Sequence, residues 1–244
     1  MILKRDIICL TRILIDSLPK FIRNSRLLFK IARLIFSIPE DLYNFRGKYE
    51  SGEIIDLSRF YSPDNNQSIK RISKKTDINS FHLRLIKRYF KSISPKSLLD
   101  AGCGTGFLLN KLNVLNPSTQ LVGIDYNRAL IKDEKLLIIE GDIYKTLQRF
   151  LDNSFEFVIC THVIEHLIYP EKVIFELRRV CSKILIVICP MEKKFIWGMN
   201  YHINFYSNKE IFLNFLNETK YKNSKGNYYK IFCRLGDIMY VEHI

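Results

Sequence analysis

Apolar and polar positions follow two different periods along this chain, and the changes of period mark its elements. From residue 95 onward, short apolar runs of strand length alternate with segments of helical spacing. Leu98–Asp100, Leu121–Asp125, Leu136–Asp142, Phe155–Cys160 and Ile184–Cys189 read as strands. Helical spacing fills Phe107–Leu112, Pro170–Cys181 with its proline in the first turn, and Ser207–Leu216, where Ser207 and Glu210 predict a capping box. Asn227–Cys233 and Asp237–His243 predict a closing hairpin turned at Leu235 and Gly236. Strands that are apolar throughout and alternate with helices imply an α/β fold with a mainly parallel sheet covered on both faces. Ligands in such sheets sit at the carboxyl ends of the strands.

The chain ahead of this region has another character. Asp77–Ile93 reads as a helix with Phe81, Ile86 and Phe90 on its apolar side. Residues 1–38 are basic and amphipathic, with two helical faces separated by Pro19 and the second closed by Pro39. Residues 47–76 are polar and turn-rich and read as loop. The expected organisation is a helical and loop N-terminal cap over 1–76 and a main domain over 77–244.

Composition narrows the classes. With 47% hydrophobic and 13% aromatic residues in 244, the chain can bury a full core. Its net charge of +13 favours an anionic partner, without choosing among nucleotides, nucleic acid, acidic carriers and an acidic membrane surface. The run Lys70, Arg71, Lys74 and Lys75 reads as a solvated face. No stretch approaches the ~18 uninterrupted apolar residues of a membrane span, and a signal peptide is not expected because no small-residue cleavage site follows. Residues 1–38 are read as a cap, with peripheral contact to an anionic membrane as the sharper alternative. The six cysteines form no C-x-x-C pair and read as reduced thiols. The expected location is cytoplasmic, with membrane association as the corollary of that alternative.

The candidate chemistry begins at Asp100-Ala101-Gly102-Cys103-Gly104-Thr105-Gly106. Glycines let the backbone turn sharply and let a ligand approach main-chain atoms, and the following helix offers free N–H groups. Asp100, Asp125 and Asp142 end successive strands, which places all three on one rim. Asp125 lies about twenty residues beyond the glycines, where nucleotide-binding folds place an acid for ribose hydroxyls. The alternative is that each acid caps the next helix. The dinucleotide fingerprint G-x-G-x-x-G is not matched.

Leu98–Gly106, Leu121–Asp125, Gly141-Asp142-Ile143, Phe155–Leu167 and Ile184–Pro190 together resemble the class I S-adenosylmethionine-dependent methyltransferases of the small-molecule (type 11) kind. The resemblance implies a Rossmann-like seven-stranded sheet with an antiparallel last strand, and S-adenosylmethionine as cofactor. It assigns Asp100, Gly102, Cys103, Gly104 and Gly106 to the methionine part, with Cys103 as packing rather than a nucleophile. Asp125 falls to the ribose and Asp142 to the adenine. Tyr126 and Ile143 flank the ring, and Thr161 and His162 line the cofactor near its methyl group. The implied activity is methyl transfer to a small-molecule acceptor, foremost at oxygen, with His166 or His202 as base. A non-catalytic methyltransferase-like scaffold and a nucleic-acid methyltransferase are the alternatives. The Pro-Pro-Tyr signature of amine methylation in nucleic acids is absent after Cys160.

His162-Val163-Ile164-Glu165-His166 also matches H-x-x-E-H, but it follows a buried strand and is read as opening a crossover helix, away from any protease scaffold. Some methyltransferases of the resembled kind, acting on ubiquinone precursors and small-RNA 3′ ends, bind a divalent cation through Glu-x-x-Glu-His and a later His. Here His162 replaces the first Glu, and His202 is the later His. A cation at Glu165, His166 and His202 and plain hydrogen bonding among them both stay open, and no metal ligand is assigned. The acceptor pocket falls to residues 1–76, Met191–Tyr206 and the last hairpin, whose basic side chains favour an anionic acceptor.

Overall fold

The computed structural model describes residues 10, 13–36, 45–53, 76–127, 136–194, 201–219 and 228–244. Pro39, Cys9 and the run Lys70, Arg71, Lys74 and Lys75 lie outside the described residues. The elements are α1 (Lys20–Arg23), α2 (Arg26–Phe36), α3 (Phe45–Glu50), α4 (Ser80–Ile93), β1 (Ser97–Ala101), α5 (Phe107–Asn113), β2 (Gln120–Asp125), β3 (Leu137–Glu140), α6 (Ile143–Leu147), β4 (Phe155–Thr161), α7 (Pro170–Val180), β5 (Cys181–Pro190), α8 (Lys209–Glu218), β6 (Tyr229–Arg234) and β7 (Asp237–His243).

Side chains in β1 alternate between two faces, as strand geometry dictates. Leu99 and Ala101 join one buried cluster with Val173, Ile174 and Leu177 of α7 and Phe212 of α8. Leu98 joins the other, with Ile86 and Phe90 of α4 and Leu108, Leu109 and Leu112 of α5. Both faces of the sheet are therefore dry, which is why its strands read as apolar throughout. The sheet has seven strands in the order β3-β2-β1-β4-β5-β7-β6. β1 pairs in parallel with β2 and β4, and β5 pairs antiparallel with β7. The fold is the α/β sheet that the sequence pattern predicts, with the antiparallel last strand that the family resemblance implies.

Local chemistry shifts some element ends. Loop was expected from residue 47, yet Phe45–Glu50 is helical and buries Phe45 and Arg46. The capping box expected at Ser207 does not form; Asn208 caps α8 instead, its side chain accepting from the Ile211 N–H. The string after β4 makes a single 3-10 turn, Ile164–His166, and the crossover helix waits until Pro170.

Buried polar groups tie the layers together. Arg178 of α7 donates to Glu242 Oε2 of β7 at 2.8 Å and to the Thr219 carbonyl after α8 at 2.8 Å. Asn79 caps α4 by accepting from the His82 N–H at 2.9 Å, while its Nδ2 donates to Asp237 Oδ2 at 2.9 Å. That amide also lies 3.0 Å from His82 Nδ1. His82 is fully buried, and burial pushes its imidazole down to about 4 although Asp237 pulls the other way. Below about pH 6.5 the unfolded chain takes up a proton that the folded chain refuses until about pH 4, so this site costs stability as pH falls through that window. The loss between pH 7 and pH 5 is about 2 kcal/mol. His82→Asn narrows the difference in Tm between these two pH values; thermal melts of both proteins measure it, and an unchanged difference contradicts this role.

Candidate active site

The glycine loop leaves the carboxyl end of β1 and folds back at once. Gly102 and Cys103 both donate their N–H to the Ile124 carbonyl of β2, at 2.8 and 2.9 Å. Gly102, Gly104 and Gly106 take φ of 82°, 54° and 71°, a region that L side chains rarely adopt. A Cβ on Gly102 would meet Val163 Cγ2 at 2.2 Å, whereas one on Gly104 has nothing within 4 Å. The loop is therefore pinned on the Val163 side and open at Gly104. Cys103 is buried, and a Cβ on Gly123 would meet its sulfur at 2.7 Å. Burial raises the Cys103 thiol far above its usual range, so it serves as packing.

Two carboxylates face this loop. Asp125 accepts from the Gly104 N–H at 2.7 Å and, through its other oxygen, from the Asn127 N–H at 3.0 Å. Burial raises its carboxyl, and these backbone donors pull it back. Asp100 is 1% exposed, and its Oδ1 has no hydrogen-bond partner. Burial, with the charge of Asp125 adding, pushes the Asp100 carboxyl up to about 7. A buried acceptor left unmatched is costly, and a ligand that brings a positive charge or N–H donors removes that cost. Asp142 caps α6, its Oδ1 accepting from the Lys145 N–H at 2.9 Å. Tyr126 remains exposed beside this rim.

A second group of side chains meets beyond the end of β4. Glu165 is fully buried, and neither carboxylate oxygen has a hydrogen-bond partner. His162 Nδ1 lies 3.5 Å away and His202 Nε2 4.0 Å away. Burial alone would raise the Glu165 carboxyl, but the imidazoles around it outweigh that and hold it below its usual range. His166 and His202 meet edge to face, ring centroids 4.6 Å apart. The other nitrogens of these two rings are in use. His166 Nδ1 sits 3.2 Å from the Tyr201 carbonyl and His202 Nδ1 sits 2.5 Å from Glu192 Oε1, so both carry the proton there. The Nε2 of His202 faces Glu165 Oε1. Ligand atoms of Glu165, His166 and His202 lie within 4.8 Å of one another.

The backbone brings these groups together. His162 takes φ of 56°, and its N–H donates to the Ile188 carbonyl at 2.8 Å. The Glu165 carbonyl accepts from the Ile203 and Asn204 N–H groups at 2.9 and 3.1 Å. Asn204 Nδ2 donates to the Leu167 carbonyl at 2.7 Å. The N-terminal part reaches the same loop. Arg46 Nη2 lies 3.8 Å from Glu192 Oε1, and its guanidinium stacks 4.2 Å over the Phe205 ring.

Known proteins resemble this chain in part of its sequence and in its fold. A methyltransferase domain family model matches residues 99–187. The malonyl-[acyl-carrier protein] O-methyltransferase of Legionella pneumophila is 29% identical over 137 residues, 52% of this chain and 46% of that protein. The ubiquinone biosynthesis O-methyltransferase of Chromobacterium violaceum is 29% identical over 117 residues, 45% of this chain and 47% of that protein. The chain spans about half the length of the curated relatives it matches. In fold it is similar to the plantazolicin methyltransferase BpumL solved with S-adenosylhomocysteine, with a TM-score of 0.57 at 14% identity over 90% of this chain and 99% of that one. The CurJ carbon methyltransferase gives 0.59 at 16% identity over 90% and 71%.

The chain carries a class I S-adenosylmethionine-dependent methyltransferase domain. The orphaned Asp100 oxygen, the open flank at Gly104 and exposed Tyr126 fit S-adenosylmethionine, the cofactor of this methyltransferase domain. The structure places Asp100, Gly102, Cys103, Gly104, Gly106, Asp125, Tyr126, Asp142 and Ile143 along the rim of β1, β2 and β3, and Thr161 and His162 at the end of β4. It brings His166 and His202 together, although the string from His162 to His166 is no helix. Glu192, Asn204, Arg46 and Asp237 were not found by sequence, because their partners come from distant segments.

Gly102→Ala tests the pinned side of the loop. The positive φ alone costs about 1–2 kcal/mol, and the clash with Val163 adds to it. The variant melts lower and loses affinity for S-adenosylhomocysteine in titration; an unchanged affinity contradicts the placement.

Proposed function

We propose that this protein transfers a methyl group from S-adenosylmethionine to an oxygen of a small, anionic acceptor. The observation that carries this reading is the meeting of Glu165, His166 and His202 beside the glycine-loop rim. S-adenosylmethionine supplies a methyl group already activated on a sulfonium. The protein's share is to align the acceptor and take up a hydroxyl proton. Burial pushes His166 down to about 4, so its imidazole is neutral at neutral pH, and its Nε2 carries the lone pair. Glu192 and Arg46 hold His202 with its Nε2 toward Glu165. The two relatives named above, both O-methyltransferases, support oxygen as the acceptor atom. The net charge of +13 supports an anionic acceptor.

A second reading is favoured by the unpartnered oxygens of Glu165. A carboxylate and two imidazoles whose ligand atoms lie within 4.8 Å of one another are a donor set suited to a divalent cation. Glu165, His166 and His202 would hold it, and it would polarise an acceptor hydroxyl.

Transfer of a labelled methyl group to hydroxyl and carboxyl acceptors tests both readings. His202→Ala lowers turnover about 100-fold and leaves S-adenosylhomocysteine affinity intact. Turnover equal to the parent's overturns the role of His202. Chelator abolishes turnover, with recovery on magnesium or manganese, if the cation is used; unchanged turnover in chelator removes the cation and leaves His166 and His202 as bases.

A further inference from the structure

The N-terminal helices carry apolar side chains on the wrong side for a core. Along α2 each residue turns by about 100°. Phe29 and Ala32 face inward and are buried. Leu27, Ile31 and Leu34 fall within an arc about 60° wide on the other side, and Leu27 and Leu34 are 69% and 85% exposed. Arg26, Lys30 and Arg33, all exposed, fill the arc between the stripe and the buried face. The segment before α2 continues the pattern, with Leu14 68% and Phe21 77% exposed beside exposed Lys20. In residues 10–36 the one acid, Asp16, stands against Arg12, Lys20, Arg23, Arg26, Lys30 and Arg33.

Exposed apolar patches of this kind mark contact surfaces, and the row of cations says what the surface meets. We propose that these helices lie on an anionic lipid bilayer, the Leu27–Leu34 stripe entering the headgroup boundary and the neighbouring Arg and Lys residues meeting lipid phosphates. An amphipathic helix with Lys and Arg beside an apolar face takes this position. Among the described residues no helix is long and apolar enough to cross a membrane. The segment ahead of α1 reaches the loop after β5, where Lys193 Nζ donates to the Asp16 carbonyl at 3.4 Å.

The inference stands apart from methyl transfer, and its test does not use activity. The full chain is sedimented with vesicles of phosphatidylcholine alone and of phosphatidylcholine mixed with phosphatidylglycerol. Binding is expected to the anionic vesicles only, and about 0.5 M salt is expected to weaken it. Leu27→Glu with Leu34→Glu removes the stripe at exposed positions, and circular dichroism together with S-adenosylhomocysteine affinity shows that the fold persists. The double variant is expected to lose at least about 10-fold in bound fraction. No sedimentation of the parent, or equal sedimentation of a folded double variant, overturns the proposal. So does a parent that is dimeric by light scattering, with a monomeric double variant and no vesicle binding by either, since the stripe then serves a second copy of the chain.

Discussion

β1 ends at Ala101 between β2 and β4, in parallel register with both, and the placement of the site depends on that pairing. Asp100 pairs with Gly123 on one side and Ile159 on the other, so its backbone is locked in the middle of the sheet. Its carboxylate can go only into the protein, where burial raises its pKa and leaves an oxygen unmatched. The glycine loop starts one residue later and is held by the Ile124 carbonyl of β2. Just beyond β4 comes Val163, close enough to exclude any side chain at 102. Three strands thus fix three walls of one cradle, and no loop has to find its place alone.

The acceptor side is built less economically. It depends on contacts between segments far apart in sequence: Glu165 on a single 3-10 turn, His202 in the loop after β5, and Arg46 in the N-terminal part. Arg46 lies in ion-pair range of Glu192, and Glu192 hydrogen-bonds His202 Nδ1, which turns the Nε2 of that ring toward Glu165. The N-terminal part therefore completes the site instead of merely covering it. Beside it, Asp237 accepts from Asn79 and lies 3.8 Å from His162 Nε2, so the closing hairpin also reaches the rim.

The strands were legible because burial on both faces makes each a continuous apolar run, and the glycine loop because its backbone needs no side chains. Asp100 and Asp125 could be placed for the same reason, since each simply ends a strand. The 3-10 turn at Ile164 was not legible: the spacing of His162, Glu165 and His166 suits a helix, but His162 takes a positive φ that breaks it. Asn208 displaced Ser207 as a cap by one position, a choice that local preference leaves nearly even. Glu192, Asn204 and Arg46 carry no local signature, because their roles exist only once distant segments meet. Asp142 was expected to end a strand, but β3 stops at Glu140 and Asp142 caps α6, the alternative that a strand-end acid and a helix cap leave open in sequence.

The central claim is that the glycine loop with Asp100 and Asp125 is a built site for S-adenosylmethionine. Calorimetric titration of the intact chain with S-adenosylmethionine and S-adenosylhomocysteine, repeated on Asp125→Ala, tests it most directly. The account predicts micromolar binding of both ligands by the parent and its loss in the folded variant. A folded parent that binds neither ligand, or a variant that binds them as tightly as the parent, would contradict it.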